Sequence, residues 1–310
     1  MPFDPHPSLP QSDYGPRFAA IDIGSNAIRL LFTQVLEGDG SPVFRKVSLF
    51  RMPLRLGTEA FTGGVLGEET VDSLRRTLQA FRLLVEAWHP DAWRACATSA
   101  LRSLENGPEL VARIAGETGI PLELITGSEE ARILLANPGP EGLDADLDYL
   151  YVDVGGGSTE LTLLGRGRTP VSVSLPLGTV RLLTGTAPDS LWSELADWLH
   201  THRPRRPVTT IGSGGNINKL VSLLNLKPGK VLGRLRLQHE LERISGLTVT
   251  QRIRDLGLRP DRADVLPHAL RIYLFTMQHA RSTRMVVPQS GLADGLVREL
   301  YEGWKVAQGR

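Results

Sequence analysis

The run Leu150-Tyr-Val-Asp153-Val154 alternates apolar and polar character, breaks at three successive glycines and resumes as Thr159-Glu160-Leu161-Thr162-Leu163. Alternation with a period of two on both sides predicts strand, tight loop, strand. No helix opens after this loop, which sets it apart from Walker and dinucleotide-binding loops, where a helix N-terminus faces the phosphate. Gly155, Gly156 and Gly157 allow conformations closed to other residues and let backbone N–H groups come close to a ligand. Successive N–H groups in such a turn make a concavity for phosphate oxygens, to which Ser158 and Thr159 add hydroxyls. Asp153 and Glu160 flank it with two carboxylates, the hard ligands that Mg²⁺ accepts beside water and phosphate. Standing alone, the stretch would read best as a hairpin turn in a sheet.

It does not stand alone. Phe18 to Thr33 is again strand, polar glycine loop and strand, and Ile21-Asp22-Ile23-Gly24-Ser25 matches Val152-Asp153-Val154-Gly155 and the loop beyond it. Such self-similarity points to two related halves. Asp22 has two readings here: a further metal-shell carboxylate, or a side chain that tightens its own turn by bonding its backbone.

Between the loops, residues 44–56 look strand-rich. Residues 68–89 form an amphipathic helix with Val71, Leu74, Leu78, Phe81, Val85 and Trp88 as its core face. Trp93 to Thr98 is a buried strand that delivers Ser99 to Arg102 to its end, and a helix from Asn106-Gly-Pro108 runs to about Thr118. After a short strand at 121–125, Ser128 is the expected N-cap of a helix whose first turn carries Glu129 and Glu130. Residues 137–148, rich in Pro, Gly and Asp, read as a hinge. The second half gives a strand at 171–175, a polar turn at 177–181, a helix at 191–200, and strand, glycine loop and helix over 207–220. That third loop opens a helix, so its N-terminus is placed to hold an anion. Helices at 238–245, 250–256 and 262–280, a strand at 283–287 and a terminal helix through Trp304 complete an α/β chain.

Composition narrows the function. With 310 residues the chain suits one large domain or two mid-sized ones. A net charge of +1 argues against a nucleic-acid-coating protein. Thirty arginines to five lysines would suit forked recognition of phosphate oxygens, although genome composition is the plainer source of the bias. Cys96 is the single cysteine, which rules out an intramolecular disulfide and a cysteine-rich zinc site; His200 and His202 read as a solvated helix end. No apolar run reaches membrane-spanning length. Residues 1–16 are proline-rich without the basic start and apolar core of a secretion signal, so they read as a loose tail on a cytoplasmic protein with no membrane or nucleic-acid partner.

Five stretches in order carry a family resemblance: Ala-Ile-Asp-Ile-Gly-Ser-Asn (20–26), Ala-Thr-Ser-Ala-Leu-Arg (97–102), Thr-Gly-Ser-Glu-Glu-Ala-Arg (126–132), Val-Asp-Val-Gly-Gly-Gly-Ser-Thr-Glu (152–160) and Gly-Leu-Ala-Asp-Gly (291–295). Together they resemble the exopolyphosphatase and guanosine pentaphosphate phosphohydrolase family, Ppx/GppA, within the actin-like ATPase superfamily. The resemblance implies two ribonuclease-H-like domains, 17–136 and 137–310, around a central cleft, with the terminal helix free to pack back on the first. It implies hydrolysis of a terminal phosphoanhydride with Mg²⁺. Glu130 would be the general base, Asp153 and Glu160 would bind the metal or help position water, and Ser25, Asn26, Arg102, Gly156, Gly157, Ser158 and Thr159 would hold phosphates. Glu129 would be a surface acid that complements the helix dipole. The substrate would be polyphosphate or guanosine pentaphosphate, and a homodimer is an open expectation.

The chain departs from the family pattern at Gly212-Ser-Gly-Gly-Asn216, whose ligand is left open, and around Arg51 and Arg55, which are candidates to face the cleft and touch a polyanion. Longer relatives carry a further helical C-terminal region, and with it a long basic groove. Three readings compete. A hydrolase comes first, since phosphoryl transfer needs positioning, charge neutralisation and directed water. A polyphosphate or alarmone sensor comes second and an actin-like kinase third.

Overall fold

The computed structural model describes residues 15–38, 40–137, 147–165, 169–204, 206–227 and 229–309. Most of the expected tail, and the hinge between 138 and 146, lie outside the described residues. The first half runs β1 (Arg17–Ile23), β2 (Ile28–Leu36), β3 (Val43–Met52), α1 (Leu56–Thr62), α2 (Glu68–Trp88), β4 (Ala92–Ala97), α3 (Ser99–Arg102), α4 (Gly107–Thr118), β5 (Leu122–Leu124) and α5 (Gly127–Leu135). The second runs β6 (Asp148–Val154), β7 (Thr159–Leu164), β8 (Val171–Leu175), α6 (Thr179–Leu183), α7 (Ser190–His202), β9 (Val208–Ser213), α8 (Gly215–Leu223), β10 (Val231–Gly233), α9 (Arg234–Ser245), α10 (Val249–Leu256), α11 (Pro260–Ala263), α12 (Leu266–His279), β11 (Arg284–Val286) and α13 (Leu292–Ala307).

Two sheets result, ordered β3-β2-β1-β4-β5 and β8-β7-β6-β9-β11-β10. In each, an antiparallel hairpin leads to a parallel neighbour of its first strand, β4 beside β1 and β9 beside β6. The two halves expected from the repeated motif are therefore present as one strand order used twice, with β10 added at the edge of the second.

Central strands are covered on both faces. In β1, Ala19, Ile21 and Ile23 pack with Leu74, Leu78 and Phe81 of α2, while Phe18 and Ala20 face Ile133 of α5 and Leu296 and Tyr301 of α13. Val71 and Trp88, expected in the core, lie half-buried at its margin. The terminal helix thus closes the first sheet, with the Phe18 and Tyr301 rings edge to face at 6.0 Å. Close approach explains Gly295: a Cβ there would stand 2.2 Å from the Ile133 carbonyl. The second sheet packs on α7, α8, α9 and α12 around the fully buried Tyr273.

Several local expectations are corrected. Thr126, not Ser128, caps α5, its hydroxyl accepting from the Glu129 N–H at 3.1 Å. The polar turn at 177–181 is largely helix α6. The helix expected over 262–280 is two: Pro267 lacks an N–H and occupies the first turn of a new helix, α12. Helix α1 and strand β10 were not anticipated. Among the described residues, no helix is long and apolar enough to cross a membrane.

Candidate active site

The twin hairpins close in the same register. Ile23 pairs with Ile28 and Val154 with Thr159, which leaves four-residue loops, 24–27 and 155–158. Each loop is pinned by its first N–H, Gly24 to Ala27 O at 3.2 Å and Gly155 to Ser158 O at 2.9 Å. The N–H groups of Ser25, Asn26 and Ala27, and of Gly156, Gly157 and Ser158, find no acceptor among the described residues. The carbonyl side of the second loop is tied down instead: Gly155 O accepts from Thr179 N at 3.0 Å, Gly156 O from Val180 N at 2.7 Å, and Gly157 O from Arg181 Nε at 3.0 Å. With carbonyls strapped outward, the unpaired N–H groups form an anion cradle of the kind successive amides make.

The two loops touch. A Cβ on Gly156 would lie 2.8 Å from Ser25 Cβ, and one on Gly157 would lie 2.5 Å from Ser99 Oγ and 2.4 Å from the Phe61 ring. None of Gly155, Gly156 and Gly157 takes a positive φ. Their glycine character supplies room for the opposing loop rather than unusual conformation, a correction to the sequence reading. Both loops line one cleft of ≈ 510 Å³, together with Glu130 and Asp153.

The acids gather where the second hairpin meets α5. Asp153 and Glu160 are direct register partners, and neither forms an ion pair among the described residues. Burial pushes Asp153 up to about 6, against the pull of the Ser213 hydroxyl. Burial likewise pushes Glu160 up to about 7, although Ser158 and Ser174 stabilise its charge; Ser174 Oγ donates to it at 2.8 Å. Glu130 Oε2 is buried without a hydrogen bond, 3.6 Å from Arg102 Nη1. Its carboxyl is held well above the usual range, first by burial and then by Glu160, with Arg102 opposing. No three His, Cys, Asp or Glu side chains form a ready metal cage among the described residues. Mg²⁺ needs none, since it is ordinarily held by one or two carboxylates, water and phosphate. Two carboxylates without an ion-pair partner among the described residues, Glu160 buried and Asp153 half-buried at the cleft, fit such an ion.

Asp22 lines the cleft, and Arg29, seven residues on and opposite it in the hairpin, donates to its carboxylate at 2.7 Å. Where the second hairpin carries Glu160, the first carries a cation. Glu129 sits apart in a surface network, accepting from Arg132 Nη2 at 3.1 Å and Arg94 Nη2 at 3.3 Å.

Other expected residues divide. Ser25 Oγ bonds Ser99 Oγ at 2.8 Å at the loop contact. The Asn26 side chain is engaged by its neighbours, Nδ2 donating to Asp261 O at 2.8 Å and Oδ1 accepting from Arg55 Nε at 2.7 Å, which leaves its backbone N–H and the second amide hydrogen for a ligand. Thr159 is fully buried with its hydroxyl on Leu177 O, which removes it from the phosphate-holding set. Arg102 Nη1 donates to Ile125 O at 2.7 Å. Arg55 is spent on a fork to Asp264 at 2.6 and 2.8 Å, joining the lobes. Arg51 also pairs across the lobes, with Asp261, yet its Nε and Nη1 are buried and without partners.

The third glycine loop lies at the basic end of the cleft. A Cβ on Gly215 would stand 3.2 Å from Arg262 Nη2 and 3.3 Å from Arg29 Nη2. Burial, then Arg51 and Arg29, lower Arg262 to about 10. Gly214 caps α8 at φ 101°, a conformation that favours glycine. Sequence reasoning passed over Ser99, Arg181, Ser213 and Arg262. For Arg29 a signal existed, because a four-residue hairpin loop sets residue 29 opposite residue 22.

A model of the Ppx/GppA phosphatase family matches residues 36–302. The chain belongs to that family. The first loop lies ahead of the matched span and shares its register with the second. Exopolyphosphatase 1 of Mycobacterium tuberculosis is 28% identical over 269 residues, which cover 80% of this chain and 77% of the relative. Exopolyphosphatase 2 of the same organism is 29% identical over 276 residues, covering 81% and 86%. The Aquifex aeolicus member of the Ppx/GppA family superposes with a TM-score of 0.74 at 25% identity, over 93% of this chain and 98% of that one. An exopolyphosphatase from Cytophaga hutchinsonii gives 0.77 at 22% identity, again over 93% and 98%. The fold is the two-domain actin-like ATPase fold of this Ppx/GppA group.

Proposed function

We propose that this chain hydrolyses the terminal phosphoanhydride of inorganic polyphosphate. The observation that carries the reading is the pair of unpaired N–H triplets, converging from two lobes on one cleft that also holds Glu130. The end phosphoryl group sits across the cradle, and Glu130, in its ionised form, orients a water and takes its proton as the oxygen attacks phosphorus. The anhydride P–O bond breaks on the opposite side, and the electron pair leaves with the shortened chain. Asp153 and Glu160 are the residues to hold Mg²⁺, which when bound supplies positive charge to the phosphate oxygens. Burial, and then Glu160, raise Glu130's proton affinity, which makes its ionised form a stronger base than a free carboxylate.

The rest of the substrate runs toward the basic end. Arg29, Lys46, Arg51, Lys219, Arg259 and Arg262 line the cleft there, and no aromatic side chain does so among the described residues. A row of guanidinium and ammonium groups without a stacking platform suits successive phosphates better than a guanine base. That favours polyphosphate over guanosine pentaphosphate. Retention of Glu130, Asp153 and Glu160 together argues against a pure sensor, which needs no base. The test is phosphate release by the purified chain from polyphosphate, guanosine pentaphosphate and ATP with Mg²⁺. The reading expects polyphosphate to be cleaved fastest, and release from none of the three would discard it.

A further inference from the structure

Helices α7 and α12 pack against each other in the second lobe, and each carries a histidine in its last turn. His200 and His202, two apart in the chain, engage different partners. His202 Nδ1 lies 2.8 Å from Trp198 O, and its ring rests against the Trp198 indole at 4.9 Å. His200 instead meets His279 of α12, with Nε2 of the first 3.2 Å from Nδ1 of the second and the ring centroids 5.1 Å apart. Two Zn–N bonds of ordinary length at a tetrahedral angle set such nitrogens about 3.3 Å and such rings about 5.2 Å apart. The pair therefore stands at the spacing that one shared ion imposes. His279 is held in place: its ring stacks on Phe275 at 4.1 Å, Phe275 meets Trp192 of α7 edge to face at 4.9 Å, and Arg203 Nη1 donates to His279 O at 3.0 Å. Because that guanidinium sits on the end of α12, attraction for a cation must come from imidazole lone pairs rather than from the helix dipole. His200 is exposed, which leaves the remaining coordination positions to water, since no third His, Cys, Asp or Glu completes a cage among the described residues.

We propose that His200 and His279 form a two-point site for a transition-metal dication, Zn²⁺ in the first place, which staples the end of α7 to the end of α12. Neutral imidazole suits Zn²⁺ and its neighbours in the first row, whereas Mg²⁺ prefers oxygen, so this pair and the acids of the cleft select different ions. Both histidines belong to the second lobe and neither lines the cleft, and the proposal stands apart from the hydrolase reading. Without an ion the same two nitrogens share one N–H in a hydrogen bond, an arrangement that a titration separates from ligation.

The experiment is calorimetric titration of Zn²⁺ into the full chain with Mg²⁺ in excess, repeated on His200→Gln, His279→Gln, His202→Gln and Asp153→Asn. Wild type is expected to bind Zn²⁺. His200→Gln and His279→Gln should each weaken it by about 10-fold or more, since losing even a contact that supports a ligand costs about that much. His202→Gln and Asp153→Asn should leave it unchanged. Zn²⁺ should also raise the melting midpoint of wild type and not that of His200→Gln, because only a folded chain that binds the ion is stabilised by it. If His279→Gln melts early through loss of the stack on Phe275, His200→Gln decides, because that side chain is exposed. Wild-type affinity in His200→Gln, an equal loss in His202→Gln or Asp153→Asn, or no binding by wild type would overturn the proposal and leave the pair as a hydrogen bond between helices. Phosphate release from polyphosphate without Zn²⁺ should be the same in wild type and His200→Gln, so failure of this site and failure of the hydrolase reading are read separately.

Discussion

Glu160→Gln should make the fold more stable at pH 8 while leaving it nearly unchanged at pH 4. The Glu160 carboxyl is 3% exposed and titrates at about 7 in place of 4.5, chiefly through burial. The native state therefore holds this proton more tightly than the unfolded chain. Its stabilising contribution is complete below pH 4.5 and is lost as pH rises through 7. A shift of that size corresponds to about 3 kcal/mol between the two extremes. Glutamine keeps the shape and still accepts from Ser174, yet carries no charge, so it escapes the loss. For a chain of this length about 3 kcal/mol corresponds to a rise of roughly 5 °C in the melting midpoint at pH 8. Mg²⁺ should produce a similar rise in wild type at pH 8 and little in the variant, because it supplies the counter-charge that the burial withholds. Scanning calorimetry from pH 4 to 8, with Mg²⁺ or chelator, reads both effects. Parallel pH curves for wild type and Glu160→Gln would refute the reasoning.

Glu130→Gln should lower phosphate release by about 100-fold or more, the scale of a positioned base, with polyphosphate binding retained in a filter assay; an unchanged rate would remove Glu130 as the base. Gly178→Ala puts a Cβ 2.3 Å from Gly156 O and 2.4 Å from Gly157 C, so the strap on the second loop must shift. Activity should fall at least as far as stability, and wild-type kinetics in that variant would show the strap to be dispensable. Thr276 is fully buried with an unpartnered hydroxyl in α12. Thr276→Val should raise stability by about 1 kcal/mol by denaturant titration, because an unsatisfied polar group is exchanged for a methyl, while a lower denaturation midpoint would reveal a partner for that hydroxyl.

The twin hairpins were legible because a period of two on both sides of a glycine loop admits few other structures, and because one pattern occurred twice. Helix α6 was not. Its five residues begin after Gly178 and include Thr179 and Val180, poor helix formers; it persists because its N–H groups bond the carbonyls of a loop some twenty residues upstream. Arg51 and Arg55 look alike in the chain, both near Pro53. What separates them is distant, since Asp264 consumes the fork of Arg55 whereas Asp261 leaves two donors of Arg51 unused. Thr159 follows the same logic. A hydroxyl next to a glycine loop invites a ligand, but strand pairing turns it onto Leu177 O. Local pattern thus announced the backbone of the site, and tertiary neighbours decided which side chains remained available.

Asn26 serves two structures at once, lending its backbone to the first hairpin tip and its amide to α11. If the second lobe swings outward, that amide contact breaks and the tip loses the tether that fixes its aim. The aim of that hairpin tip is thereby tied to where the opposite lobe stands, through a side chain that belongs to the tip itself.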